Sequence, residues 1–119
     1  MAARRVLIVD DAAADRAHLE RIVTGAGHFA LLAETGEQAV ARAKADLPDV
    51  ILMDINMPGL DGFAATRMLK AEPTTKAIPV VFVTAKDQKA DRAWGQMLGA
   101  SGYVTKPYQP EQIVAALAV

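Results

Sequence analysis

Residues 50–62, VILMDINMPGLDG, set the reading of the whole chain. Four consecutive apolar residues, Val50 to Met53, have the continuous pattern of a strand buried on both faces, the mark of a parallel sheet. The run ends in a carboxylate, Asp54. Met57-Pro58-Gly59 then shape a turn, and Asp61 is placed to open a helix over residues 61–70. A charged residue at the end of a core strand asks what else in the chain is aimed at it.

Working outward, strand and helix signals alternate. Arg5–Val9 is a second short apolar run, broken by Asp10-Asp11. Leu19, Ile22, Val23 and Ala26 follow at helical spacing, with the stripe ending near Gly25 and Gly27. Phe29–Ala33 reads as a strand, and Gly36–Asp46 as a helix with Val40, Ala43 and Leu47 on one face. Pro73 and Pro79 bracket a loop before the strand Val80–Val83. Residues 87–98 form a helix carrying Trp94 and Met97, ended by Gly99. Gly102–Val104 is a short fifth strand, and Gln109–Ala118 a final helix with Pro110 near its first turn. This alternation predicts right-handed βαβ units and an α/β fold: a doubly wound five-stranded parallel sheet of order 2-1-3-4-5.

Bulk composition bounds the function. The 119 residues suit one domain, 52% apolar and 23% charged, with a net charge of −1. No Lys/Arg run suggests a direct nucleic-acid or membrane-surface footprint. The absence of cysteine excludes disulfides, thiolate metal sites and cysteine nucleophiles. No apolar stretch reaches membrane-span length, and the basic MAARR start is too short for a secretory signal core, so a cytoplasmic location is expected. The final helix meets the chain end at Val119 with no C-cap signal, as in a domain trimmed from a longer chain.

The polar residues that end the strands carry the chemistry. Asp10 and Asp11 follow the first strand, Asp54 the third and Thr84 the fourth, and Lys106 comes just after the fifth. In an open parallel sheet these ends share one edge, and ligands bind where strand order reverses. Three carboxylates held together repel, and at least one pKa rises unless a cation lies between them. An oxygen-only donor set favours Mg²⁺ or Mn²⁺. Lys106 offers a point charge for a phosphoryl oxygen, Thr84 a hydrogen-bond donor, and Asp54 the exposure that a nucleophile needs. The set fits metal-assisted phosphoryl transfer to a carboxylate.

The combination Asp10-Asp11, Asp54, Met57-Pro58, Asp61-Gly62, Thr84-Ala85 and Lys106-Pro107 resembles the receiver domain of two-component response regulators, the CheY-like family, over essentially the whole chain. The resemblance implies that Asp54 is the phosphoacceptor. It implies that Asp11, Asp54 and the backbone carbonyl of Asn56 bind Mg²⁺, with Asp10 assisting through water. Thr84 and Lys106 would contact the phosphoryl group, and Thr84 and Tyr103 would form the conformational switch. Asn56 and Lys86 would tune the lifetime of the phosphorylated state, and the Lys106-Pro107 bond would be cis. The implied partners are a sensor histidine kinase and a downstream protein, met through the face of the fourth helix, fifth strand and fifth helix by a monomer or weak dimer. Lys86-Asp87-Gln88, Asp91, Trp94-Gly95 and Gly99-Ala100 are further similar to PilH-like regulators of type IV pilus chemosensory systems, which points to chemotaxis or motility.

Each residue alone has a plainer reading. Asp10, Asp11 and Asp61 could be helix N-caps, Thr84 a strand-end residue and Lys106 a solvated lysine. Convergence on one sheet edge favours function. His18 and His28 have no partner spacing for a phosphorelay or metal role, and Trp94 reads as a helix residue covering apolar surface. Rival functions are a pseudo-receiver that binds protein without phosphate, and a haloacid-dehalogenase-type aspartyl-phosphate phosphatase. The latter requires an Asp at the position of Asn56. No P-loop sequence is present.

Overall fold

The computed structural model describes residues 2–119. Its elements are β1 (Arg5–Val9), α1 (Ala13–Gly25), β2 (Phe29–Ala33), α2 (Gly36–Asp46), β3 (Val50–Met53), α3 (Gly62–Ala71), β4 (Val80–Thr84), α4 (Lys89–Met97), β5 (Gly102–Thr105) and α5 (Pro110–Ala116). The five strands pair in parallel in the order β2-β1-β3-β4-β5, as expected. Val9 lies opposite Met53 in the β1–β3 register, so the residues that follow them emerge side by side.

Strand periodicity builds two cores from one sheet. Leu7, Val9, Ile51, Met53 and Phe82 face Ala39, Val40 and Ala43 of α2 and Ala65 and Leu69 of α3. Their neighbours Val6, Ile8, Val50, Leu52, Val81 and Val83 face Leu19 and Val23 of α1, Ile113 of α5 and Leu117 just beyond that helix. Continuous apolar runs in β1, β3 and β4 are therefore required, because successive side chains enter opposite cores.

Several local expectations are corrected. Ala26 does not extend the α1 stripe: it is the exposed C-cap, its N–H bonding back to the Ile22 carbonyl. Leu47 is not on the buried face of α2 either. As the C-cap it adopts the left-handed conformation (φ 48°), which turns its side chain outward to 51% exposure. α4 begins at Lys89 rather than residue 87, because the Asp91 carboxylate accepts the Gln88 N–H (3.3 Å) and caps the helix there. α5 ends at Ala116, two residues early. Neither Asp10 nor Asp11 caps α1, whose N-cap is Ala12; Asp61 does cap α3, accepting the Ala64 N–H at 2.8 Å.

α4 is the most lightly seated helix. Only Gly95 is buried, and a Cβ there would lie 3.3–3.4 Å from the rings of Phe82 and Tyr103. The missing side chain lets the helix rest directly on those two aromatics.

Candidate functional site

The carboxyl ends of β1, β3, β4 and β5 bring the expected polar residues to one edge. Asp10 follows β1 and is 1% exposed; Asp54 follows β3 and, contrary to the exposure expected of it, is only 7% exposed because the end of β3 lies inside the sheet edge. The Asp54 N–H donates to the Val9 carbonyl (3.0 Å), which locks the two strand ends together. Asp54 Oδ1 accepts the N–H groups of Ile55 (2.7 Å) and Asn56 (3.3 Å). That oxygen is tied to its own loop, and Oδ2 is left facing the Lys106 ammonium at 3.2 Å.

The loop is held from below. Ile55 and Met57 are buried in the same core as Met53, so the inward alternation of β3 continues past Asp54. Gly59 makes the turn at φ 75°. At Gly62, where α3 starts, a Cβ would lie 2.2 Å from the Asp54 carbonyl oxygen. Only glycine admits that approach between α3 and the end of β3.

Lys106 reaches in from the segment after β5, its N–H bonded to the Thr84 carbonyl (2.9 Å). Its ammonium donates to Asp10 (2.8 Å), Asp15 (3.1 Å) and Asp54 (3.2 Å). Asp15, in the first turn of α1, was missing from the sequence reading. Burial opposes the ammonium's charge, but the Asp10 hydrogen bond and the charges of Asp54 and Asp10 outweigh it, and the pKa rises. Burial also raises the Asp10 pKa, against the lowering effects of Lys106 and of the Ala12 N–H, which bonds Asp10 Oδ1 at 2.9 Å. The Lys106-Pro107 peptide is cis, as expected.

Asp10, Asp11 and Asp54 each place a carboxylate oxygen within 4.8 Å of the others, and Asp11 is exposed to solvent. This donor set fits a hard divalent cation. It contains oxygen alone, two of its carboxylates are shielded, and a positive charge already bridges them. Asn56 is exposed at the rim of the same loop.

Thr84 is fully buried, its hydroxyl accepting the Lys86 N–H at 3.3 Å. The Tyr103 hydroxyl donates to the Lys86 carbonyl at 2.5 Å. Its ring packs edge-on to Phe82 (centroids 6.0 Å apart) beneath the Arg92 guanidinium at 4.8 Å. Thr84 and Tyr103 thus meet at the backbone of Lys86. The Lys86 side chain extends toward α4, its ammonium 3.7 Å from Asp91. The histidines lie apart from the acidic group: His28 Nδ1 accepts the Arg4 N–H (2.9 Å), and His18 stacks on Tyr108. Trp94 is 38% exposed, with Arg67 over its ring at 5.8 Å. Among the described residues, no helix is long and apolar enough to cross a membrane.

Comparison with known proteins agrees with this geometry. The chain is 47% identical to the protein PilH of Pseudomonas aeruginosa over 113 residues, covering 95% of this chain and 93% of PilH. It is 45% identical over 111 residues to the response regulator PleD of Caulobacter vibrioides, spanning 93% of this chain but only 24% of PleD. The chemotaxis protein CheY4 of Vibrio cholerae superposes with a TM-score of 0.92 at 30% identity, covering 98% of each chain. The receiver domain of a Pseudomonas aeruginosa sensor histidine kinase, solved with a magnesium ion in its active-site cleft, superposes at 0.89 and 30% identity, covering 98% of this chain and 95% of its own. The family model for the response regulator receiver domain matches residues 6–118, and the chain belongs to that family.

Proposed function

We propose that this chain is a phosphoacceptor signalling domain. It takes a phosphoryl group from the phosphohistidine of a sensor histidine kinase onto Asp54 and passes the signal on by protein contact. The observation that carries this reading is the asymmetry of Asp54. Two backbone N–H groups hold Oδ1, while Oδ2 faces an ammonium held by three carboxylates. Oδ2 attacks phosphorus, the P–N bond to the donor imidazole breaks, and Lys106 offsets charge on the transferred oxygens. Asp10, Asp11, Asp54 and the carbonyl of Asn56 would hold Mg²⁺ (or Mn²⁺), which supplies charge neutralisation for the phosphoryl group. The site assists its own phosphorylation and hydrolysis without being a turnover enzyme.

Output is a population shift between two packings. The Thr84 hydroxyl leaves the Lys86 N–H for a phosphoryl oxygen, and Tyr103 turns into the vacated space. The light seating of α4 on Gly95 supports this, because a helix fixed by two aromatic rings responds when one of them moves. The face of α4, β5 and α5, with Lys89, Arg92, Gln96 and Gln112, then meets the downstream protein. The similarity to PilH supports a cytoplasmic chemosensory or pilus-motility pathway.

Incubation with Mg²⁺ and acetyl phosphate, alongside a panel of phosphate esters, tests the reading. One slowly hydrolysed phosphoryl group per chain is expected. Rapid turnover of many esters would favour a hydrolase, and no adduct from acetyl phosphate or a kinase would favour a pseudo-receiver.

A further inference from the structure

The Lys106 ammonium has three N–H donors, and each meets a different carboxylate. Two of those carboxylates, Asp10 and Asp54, belong to the acidic trio that would hold a divalent cation, whereas Asp15 stands outside it. Asp15 also differs in setting. Its side chain is 49% exposed, against 1% for Asp10 and 9% for Asp54.

Lys106 and a divalent cation are rivals for the same two oxygens. When Asp10 and Asp54 turn to the cation, the ammonium loses two partners and gains a like charge beside it. Asp15 is the acceptor already in contact that this exchange leaves untouched. A packed seam holds it there. His18, three residues along α1 from Asp15, stacks on Tyr108, two residues after Lys106, with ring centroids 5.5 Å apart, 14° between planes, and Nδ1 3.2 Å from the hydroxyl. That contact fixes α1 against the segment carrying Lys106, so Asp15 and the ammonium stay within reach of each other.

We propose that Asp15 is a positioning residue for Lys106. It keeps the ammonium at the rim of the site when Asp10 and Asp54 are drawn to a cation, where it can meet a phosphoryl group on Asp54. The proposal rests on the phosphoacceptor reading of the site, but its test uses equilibrium binding rather than phosphorylation.

Mg²⁺ is titrated into the full chain at constant ionic strength and followed by the amide resonances of residues 54–56. Asp15→Asn keeps the side-chain shape and removes the landing place for the ammonium. It weakens Mg²⁺ binding by about 2–5-fold, the reach of a half-exposed ion pair. Asp15→Glu restores wild-type affinity. In a Lys106→Met background Asp15→Asn has no effect, because the group it acts through is gone. Unchanged affinity in Asp15→Asn would overturn the proposal. So would an equal loss with Lys106→Met, which would make Asp15 a charge acting through space. Failure of the unsubstituted chain to bind Mg²⁺ would overturn the phosphoacceptor reading itself, and this inference with it.

Discussion

Gly62→Ala tests how the fold fixes Asp54. The added methyl would lie 2.2 Å from the Asp54 carbonyl oxygen and 2.8 Å from Ile55 Cα. Both are main-chain atoms at the end of β3, held by the Asp54–Val9 and Gly62–Ile55 hydrogen bonds, each 3.0 Å. Neither can rotate aside. Either the first turn of α3 lifts or the end of β3 shifts, and Asp54 moves in both cases. Overpacking costs about 1–3 kcal/mol, and a main-chain clash of this depth belongs at the upper end. The helical preference for alanine offsets at most ~1 kcal/mol. A net loss of roughly 2–3 kcal/mol lowers the Tm by about 6–18 °C in a domain of this size. Gly25, the last residue of α1, is the matched control. Its added Cβ would meet nothing within 4 Å, so Gly25→Ala is neutral or stabilising by up to ~1 kcal/mol. Thermal unfolding by circular dichroism and Mg²⁺ titration of both variants make the comparison. Equal Tm values with unchanged Mg²⁺ affinity would refute the claim that α3 and the end of β3 form one rigid seat.

Three further outcomes follow from single contacts. Asp61→Ala removes the cap from the Ala64 N–H and costs about 1 kcal/mol, read as a Tm drop of roughly 3–6 °C that Asp61→Asn avoids. Burial raises the phenol pKa of both tyrosines, with Asp91 adding at Tyr103 and Asp15 at Tyr108 against the opposing charge of Lys106. The folded chain therefore holds these protons more tightly than the unfolded chain. Stability is intact below the ordinary tyrosine value of about 10 and falls as pH rises above it. An absorbance titration should place the folded midpoints above that value and the urea-unfolded midpoints at it; coincident midpoints would contradict this. Lys86→Ala should change the dephosphorylation rate of Asp54, and an unchanged rate would remove Lys86 from the lifetime-tuning role.

How much was legible depended on periodicity. Strands β1, β2 and β3 and helix α2 fall where the apolar pattern places them, because most of their inward-facing residues enter one of two cores, although Phe29 at the start of edge strand β2 is exposed. The strand-end residues were legible for the same reason: parallel topology sends Asp10, Asp54, Thr84 and Lys106 to a common edge. What depends on how a helix rolls against its neighbour was not. Asp15 escaped although it lies one turn beyond Asp11, since only the α1 seam with Tyr108 shows which way it points. Met57 looked like turn material, yet the alternation Met53, Ile55, Met57 was in the sequence and marks three consecutive inward positions. Leu47 and Ala26 failed because helix ends leave the helical geometry that spacing arguments assume.

The most direct test of the central claim is intact-mass analysis of the chain after incubation with acetyl phosphate and Mg²⁺, followed by borohydride reduction and peptide mapping. A gain of one phosphoryl group is expected, which does not form when Mg²⁺ is chelated beforehand and is absent in Asp54→Asn, with the reduced carboxyl mapped to position 54. An adduct that persists in Asp54→Asn, or maps to Asp10 or Asp11, would contradict it.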